Sequence, residues 1–240
     1  MFYYFYPIGS LNIVLILAAF IPAIYTMIRV YRADRLEKES PGLLRKLVVV
    51  GILSSLIALV EERIFSYLLG LVLPYDSLLY NILLYFVVVA VSEESSKYIM
   101  LKKHTWYSPE FNCIFDGVLY AVFVSLGFAL WENISYVLNY GLYAAFARAL
   151  TAIPGHTCFG VYMGLFYSAA KKYERIGDTK GLGVCKIMAL LVPVLLHGAY
   201  DFIATMETYD FNYIFIIYVT ILFILTNILI RKVIKNDSYM

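Results

Sequence analysis

The chain has 240 residues, a formal net charge of +2, 62% hydrophobic and only 15% charged residues, with a mean hydropathy of +0.77. Soluble globular domains carry about 25% charged residues, so this composition excludes an ordinary soluble enzyme and requires a bilayer as solvent. The small positive charge resides in loops between apolar runs and gives no sign of a nucleic-acid partner.

A transmembrane helix needs about 20 consecutive, mostly apolar residues. Such runs occur at about Leu11–Val30, Leu43–Leu73, Ser77–Leu101, Phe115–Leu138, Phe146–Ala170, Gly183–Thr205 and Phe211–Ile230. They predict an all-α, polytopic membrane helix bundle with seven transmembrane helices, or eight if the long second run is split. The chain is expected to form a single integral membrane domain over residues 1–240, with its motif-bearing core at about 77–205.

Ahead of the first run, Met1–Pro7 is aromatic and has no basic residues, so the run reads as a retained anchor rather than a cleavable signal. Arg32–Gly42 is the one linker-like piece. In the second run, Glu61, Glu62 and Arg63 can pair among themselves, a structural role that would also mark the place where the run divides.

Ionisable side chains inside hydrocarbon cost roughly 2.5–3.5 kcal/mol each at a helix centre, so their presence in several spans points to chemistry or ion movement. The third run holds Ser92-Glu93-Glu94-Ser95-Ser96-Lys97. Glu93 and Lys97 are four apart and share a helix face, with Glu94 turned about 100° away, so Lys97 is expected to neutralise one carboxylate. Two crowded carboxylates do not both ionise easily, the asymmetry a general base and a proton donor need. The bland alternative is a Glu–Lys pair that only locks helices.

The fourth run begins with Asp116, a helix-start residue, and carries Phe128 one turn before Glu132, with Asn133 offering a donor and an acceptor beside it. The fifth contains Pro154-Gly155-His156, where Pro154 is expected to bend the helix. His156, Gly160 and Gly164 recur every four residues, a stripe that lets another backbone approach closely. Arg148, near the outer end, can snorkel to the interface.

The sixth run holds His197 and Asp201 four apart, so the carboxylate can fix the imidazole tautomer; Pro193, one turn earlier, invites a kink. His104 lies in a basic loop and reads as solvated. Cys113, Cys158 and Cys185 are scattered and have no metal-ligand spacing among themselves.

Loop charge gives an orientation. Basic residues gather around Arg29–Lys46, Lys97–Lys103, Lys171–Lys186 and Arg231–Lys235, whereas Pro74–Asp76, Asn139–Tyr143 and Glu207–Asp210 lack them. Seven spans place every basic cluster on one side, with the N-terminus outside and the C-terminus cytoplasmic.

Together, Glu93-Glu94-Ser-Ser-Lys97, Phe128-x-x-x-Glu132-Asn133, Pro154-Gly155-His156 and His197-Gly-x-Tyr-Asp201 resemble the PrsW family of bacterial intramembrane proteases, over roughly Glu93 to Asp201. That family is distantly similar to the CAAX-type prenyl-protein endopeptidases, in which a His stands at the position of Glu132 and often an Asn at that of Asp201. The resemblance implies a hydrolase in the bacterial cell membrane that makes the site-1 cut in a single-pass, membrane-anchored anti-sigma factor and so frees an extracytoplasmic-function sigma factor.

Residues and resemblance together give Glu93, Glu94, Glu132, His156 and His197 as catalytic candidates, supported by Lys97, Phe128, Asn133 and Asp201. One glutamate activates water, His197 polarises the scissile carbonyl, Asp201 orients His197, and His156 completes the polar wall. Two cofactor readings stay open. Zinc can sit at His156, His197 and Glu132, since two His and a Glu form a known catalytic set, or a glutamate activates water without a metal. The competing class is a proton- or metal-ion-translocating protein using the same buried Glu, His and Asp. Oligomeric state is not legible in the sequence.

Overall fold

The computed structural model describes residues 10–206 and 209–240. Met1–Pro7, and part of the acidic outer segment at Glu207–Asp210, lie outside the described residues. The helices are α1 (Ser10–Ala33), α2 (Pro41–Gly70), α3 (Leu78–Leu83), α4 (Ala90–Thr105), α5 (Ile114–Leu150), α6 (Ala152–Arg175), α7 (Thr179–Ala204) and α8 (Tyr209–Lys235), with a π-helical turn at Leu84–Val89 joining α3 to α4. Among the described residues there is no strand beyond a lone bridge between Cys113 and Tyr239. The all-α reading holds.

Among the described residues, six stretches are long and apolar enough to cross a membrane, one of them the 62-residue Ile114–Arg175. At about 1.5 Å per residue it would extend roughly 93 Å, three times a hydrocarbon core of about 30 Å. It holds two helices packed antiparallel, α5 and α6: a Cβ at Gly160 would meet Val122 and Ser125, and one at Gly164 would meet Gly117 and Val118. Among the described residues this gives seven helical passes. The eighth does not arise, because α2 runs unbroken through Glu61-Glu62-Arg63.

Two boundaries depart from the hydropathy pattern. The expected loop at Asn139–Tyr143 is helical except at Gly141, whose φ of 76° lies in the left-handed region that favours glycine. α5 turns there and continues to Leu150, so Phe146–Leu150 belongs to α5 rather than to the fifth span. Pro154 consequently sits in the first turn of α6, where its missing N–H costs nothing, instead of bending a mid-span helix. α7 passes through Pro193 without a break in its helical run.

α5 is the axle. Every residue from Phe115 to Leu130 is buried, and α1, α2 and α6 pack around it. The outer faces of α1, α2 and α8 are aliphatic, with Leu17, Ile21, Ile57, Ile64, Ile217 and Ile221 all exposed, as contact with lipid tails favours.

The close approaches depend on glycine. A Cβ at Gly164 would lie 2.4 Å from the Gly117 carbonyl oxygen and 2.4 Å from the Val118 Cα, both backbone atoms. Gly164→Ala is expected to force α5 and α6 apart and to cost about 1–3 kcal/mol, read as a lower thermal unfolding midpoint in detergent.

Candidate active site

The polar residues of four passes meet inside the bundle. α4 presents Glu93, Glu94 and Lys97 within about one turn, and all three are buried. The Lys97 Nζ donates to Glu93 Oε2 at 3.0 Å and to Glu94 Oε1 at 2.8 Å. The sequence predicts that Lys97 neutralises one carboxylate; it bridges both. Its ammonium also lies 3.3 Å from His156 Nδ1 and 3.9 Å from the centre of the Phe128 ring, a cation–π contact.

These contacts set the proton positions on His156. An ammonium can only donate, so Nδ1 accepts and the ring proton of a neutral imidazole is on Nε2. Nε2 then donates to Glu132 Oε2 at 2.8 Å. His197 is held on both sides: Nδ1 is 2.8 Å from Glu94 Oε1, while Nε2 lies 3.2 Å from Asp201 Oδ2 and 3.8 Å from Glu93 Oε2. Phe159 stacks on the His197 ring at 4.8 Å. The π-helical turn before α4 brings Phe86 against Gly198, where a Cβ would lie 2.6 Å from the ring, so the backbone beside His197 seats against that turn.

A cavity of about 450 Å³ opens onto this cluster. Glu93, Glu132 and Asp201 line it, whereas Glu94 is fully enclosed, with no side-chain exposure. Glu62 and Arg63, two members of the triplet that reads in sequence as a structural pairing, also line it. The cavity reaches Asn139, Tyr140 and Thr205, near the Gly141 turn and the end of α7.

Arg148 is the second departure. Rather than snorkelling outward, it lies 2.9 Å from Glu132 Oε2 and donates from Nε to Asn133 Oδ1 at 2.9 Å. Asn133 in turn donates to the Ala19 carbonyl at 2.8 Å, so it joins α1 to α5 rather than facing the cavity beside Glu132. An arginine inside an apolar segment is the available signal in the sequence, but its inward reach depends on the turn at Gly141. His104 and the free thiols Cys113, Cys158 and Cys185 stay outside this cluster.

Residues 39–228 match the family described as PrsW family intramembrane metalloprotease. The chain belongs to that family. It is 33% identical over 213 residues to Protease PrsW of Clostridioides difficile (strain 630), covering 87% of this chain and 86% of that one. It is 32% identical to Protease PrsW of Shouchella clausii (strain KSM-K16), covering 88% and 93% of the two chains, and 40% identical over 113 residues to Protease PrsW of Bacillus subtilis (strain 168), covering 47% and 50%. No solved structure matches it. The protein is a membrane-embedded peptidase.

The family description implies a metal, and the donor chemistry fits one. Glu93, Glu94 and His156 each offer one ligand atom within 4.8 Å of the others, and Glu94 Oε2 is buried without a hydrogen-bond partner. This is a different trio from the His156, His197 and Glu132 set expected from sequence, because His197 turns to Glu94, Glu93 and Asp201. The Lys97 ammonium shares the space with that trio, so an ion there requires Lys97 to move aside.

Arg148→Ala is expected to release Glu132 and Asn133 together and to lower the cleavage rate by on the order of a hundredfold, with Arg148→Lys recovering little because one ammonium cannot span both partners. Steady-state cleavage by purified variants checks this.

Proposed function

We propose that this peptidase makes the first cut in a single-pass, membrane-anchored anti-sigma factor, on the extracytoplasmic side, and thereby starts release of an extracytoplasmic-function sigma factor. The observation that carries this reading is the direction of the cavity. It runs from Glu93 to Asn139 and Thr205, at the ends of helices whose opposite ends bear the basic clusters. Basic loops face the cytoplasm, so the N-terminus is outside, the C-terminus is inside, and the cavity opens outward. A substrate with an exposed extracytoplasmic segment would enter there.

In the proposed chemistry Glu93 is the base, because it lines the cavity while Glu94 is enclosed and bonded to both Lys97 and His197. Glu93 takes a proton from water, and the resulting hydroxide attacks the scissile carbonyl carbon. The His197 Nε2–H, poised between Glu93 and Asp201, supplies a hydrogen bond to the oxyanion. Glu93 then returns its proton to the departing amine as the C–N bond breaks. Asp201 and Glu94 orient His197, and His156 fixes Glu132 at the cavity wall. A metal held by Glu93, Glu94 and His156 would supply Lewis acidity toward the carbonyl or a more acidic water. The 1–240 chain acts as one unit in this reading, since α1 is tied to the site through the Ala19 carbonyl, Asn133 and Arg148.

Co-expression with tagged candidate anti-sigma factors tests the assignment. Glu93→Gln is expected to abolish the cleaved fragment at unchanged enzyme level, a loss of at least about a hundredfold. Glu94→Gln should reduce both fragment and enzyme stability. Full cleavage by the Glu93 variant would remove Glu93 from the proposed role, and intact substrate with every candidate and wild-type enzyme would remove the substrate assignment.

A further inference from the structure

α4 and α7 are tied by His197 in the membrane interior and by Lys186 at the basic end. His197 Nδ1 lies 2.8 Å from Glu94 Oε1. The Lys186 ammonium sits 4.7 Å from the centre of the Trp106 ring, just past the last turn of α4. Alongside these ties the two helices leave a groove of about 450 Å³. Its walls are apolar, with Val91 and Tyr98 from α4 and Ile187, Leu191 and Val194 from α7. Val91, Ile187 and Leu191 are exposed, so the groove opens toward lipid.

The depth of the groove restricts what can occupy it. Val91 and Lys102 are eleven residues apart on α4, a rise of about 16 Å. That is close to half of a hydrocarbon core of about 30 Å. The groove is therefore one leaflet deep. It is long enough for much of an acyl chain and too short to seat a helix that crosses the membrane.

Charge gathers at one end only. Lys102 and Lys186 line the groove where it meets the basic loops. Lys102 is exposed, and Lys186 faces an aromatic ring instead of a carboxylate. Glu174 lies within electrostatic reach of Lys186, but its oxygens are engaged: Oε1 accepts from Trp106 Nε1 at 2.9 Å and Oε2 from the Lys171 ammonium at 2.7 Å. Lys171 also approaches the Trp106 ring, at 5.0 Å, and Lys103 follows Lys102 in the sequence. The mouth thus carries more positive charge than neighbouring acids offset, above a strip of hydrocarbon wall. An amphiphile with a negative head and an apolar tail matches both parts.

We propose that the α4–α7 groove binds an anionic phospholipid, with its headgroup phosphate at Lys102 and Lys186 and one acyl chain along Val91, Ile187, Leu191 and Val194. Basic pockets between transmembrane helices suit such headgroups, and an ammonium serves as a point charge toward phosphate. Val91 and Val194 lie within one turn of Glu93 and His197, so the bound lipid braces α4 against α7 beside the Glu94–His197 contact. The inference is independent of the substrate assignment.

The test uses the purified full-length protein in detergent, supplied with phosphatidylglycerol or phosphatidylcholine of matched acyl chains. Retained lipid is read by native mass spectrometry and stability by thermal unfolding. Phosphatidylglycerol is expected to be retained in preference and to raise the unfolding midpoint. Lys102→Gln with Lys186→Gln should weaken its retention by on the order of tenfold. Arg231→Gln with Lys235→Gln removes the same charge from α8 at the same end and should leave retention intact. Leu191→Trp fills the groove without changing charge and should weaken retention too. Equal retention of the two lipids overturns the proposal. So does equal loss in both charge variants, which means diffuse attraction to a basic surface. Full phosphatidylglycerol retention by Leu191→Trp overturns it as well, and loss of cleavage in that variant would then assign the groove to substrate.

Discussion

The buried ammonium of Lys97 is the constraint around which the membrane interior is arranged. In a low-dielectric bundle two neighbouring carboxylates repel and desolvate at great cost, and one cation touching both removes most of that penalty. Lys97 reaches Glu93 and Glu94 because α4 places them four and three residues before it, and the same ammonium meets His156 on α6 and the Phe128 ring on α5. Three passes are thereby held in register by one charge. The fourth joins through His197, whose contact with Glu94 extends the network to Asp201.

This network separates two chemically identical side chains. Glu94, enclosed and bonded twice, is committed to holding Lys97 and His197; Glu93, at the cavity wall, remains available to water and substrate. The glycine contacts between α5 and α6 are part of the same arrangement, since they set the depth at which His156 meets Lys97.

Much of this is legible in the sequence because the physics is local. Seven passes follow from hydropathy, and the charged residues inside them stand out against apolar neighbours. The i,i+4 spacings of Glu93 with Lys97 and of His197 with Asp201 survive as contacts. The departures are set by tertiary geometry. The inward turn of Arg148 requires the left-handed Gly141, which reads locally as a loop. The cavity-facing position of Glu62 depends on α2 staying whole through a charged triplet. Pro154 changes from a kink to a helix start once the boundary moves to Ala152. The candidate metal trio depends on ring rotations of His156 and His197 that spacing does not encode.

The most direct test of the organising role of Lys97 is thermal unfolding of Lys97→Met, Glu94→Gln and the double variant in detergent. Lys97→Met alone should be destabilised by about 3–5 kcal/mol, because it strands buried carboxylate charge, and adding Glu94→Gln should recover most of that loss. If the two losses simply add, the ammonium does not hold the site together.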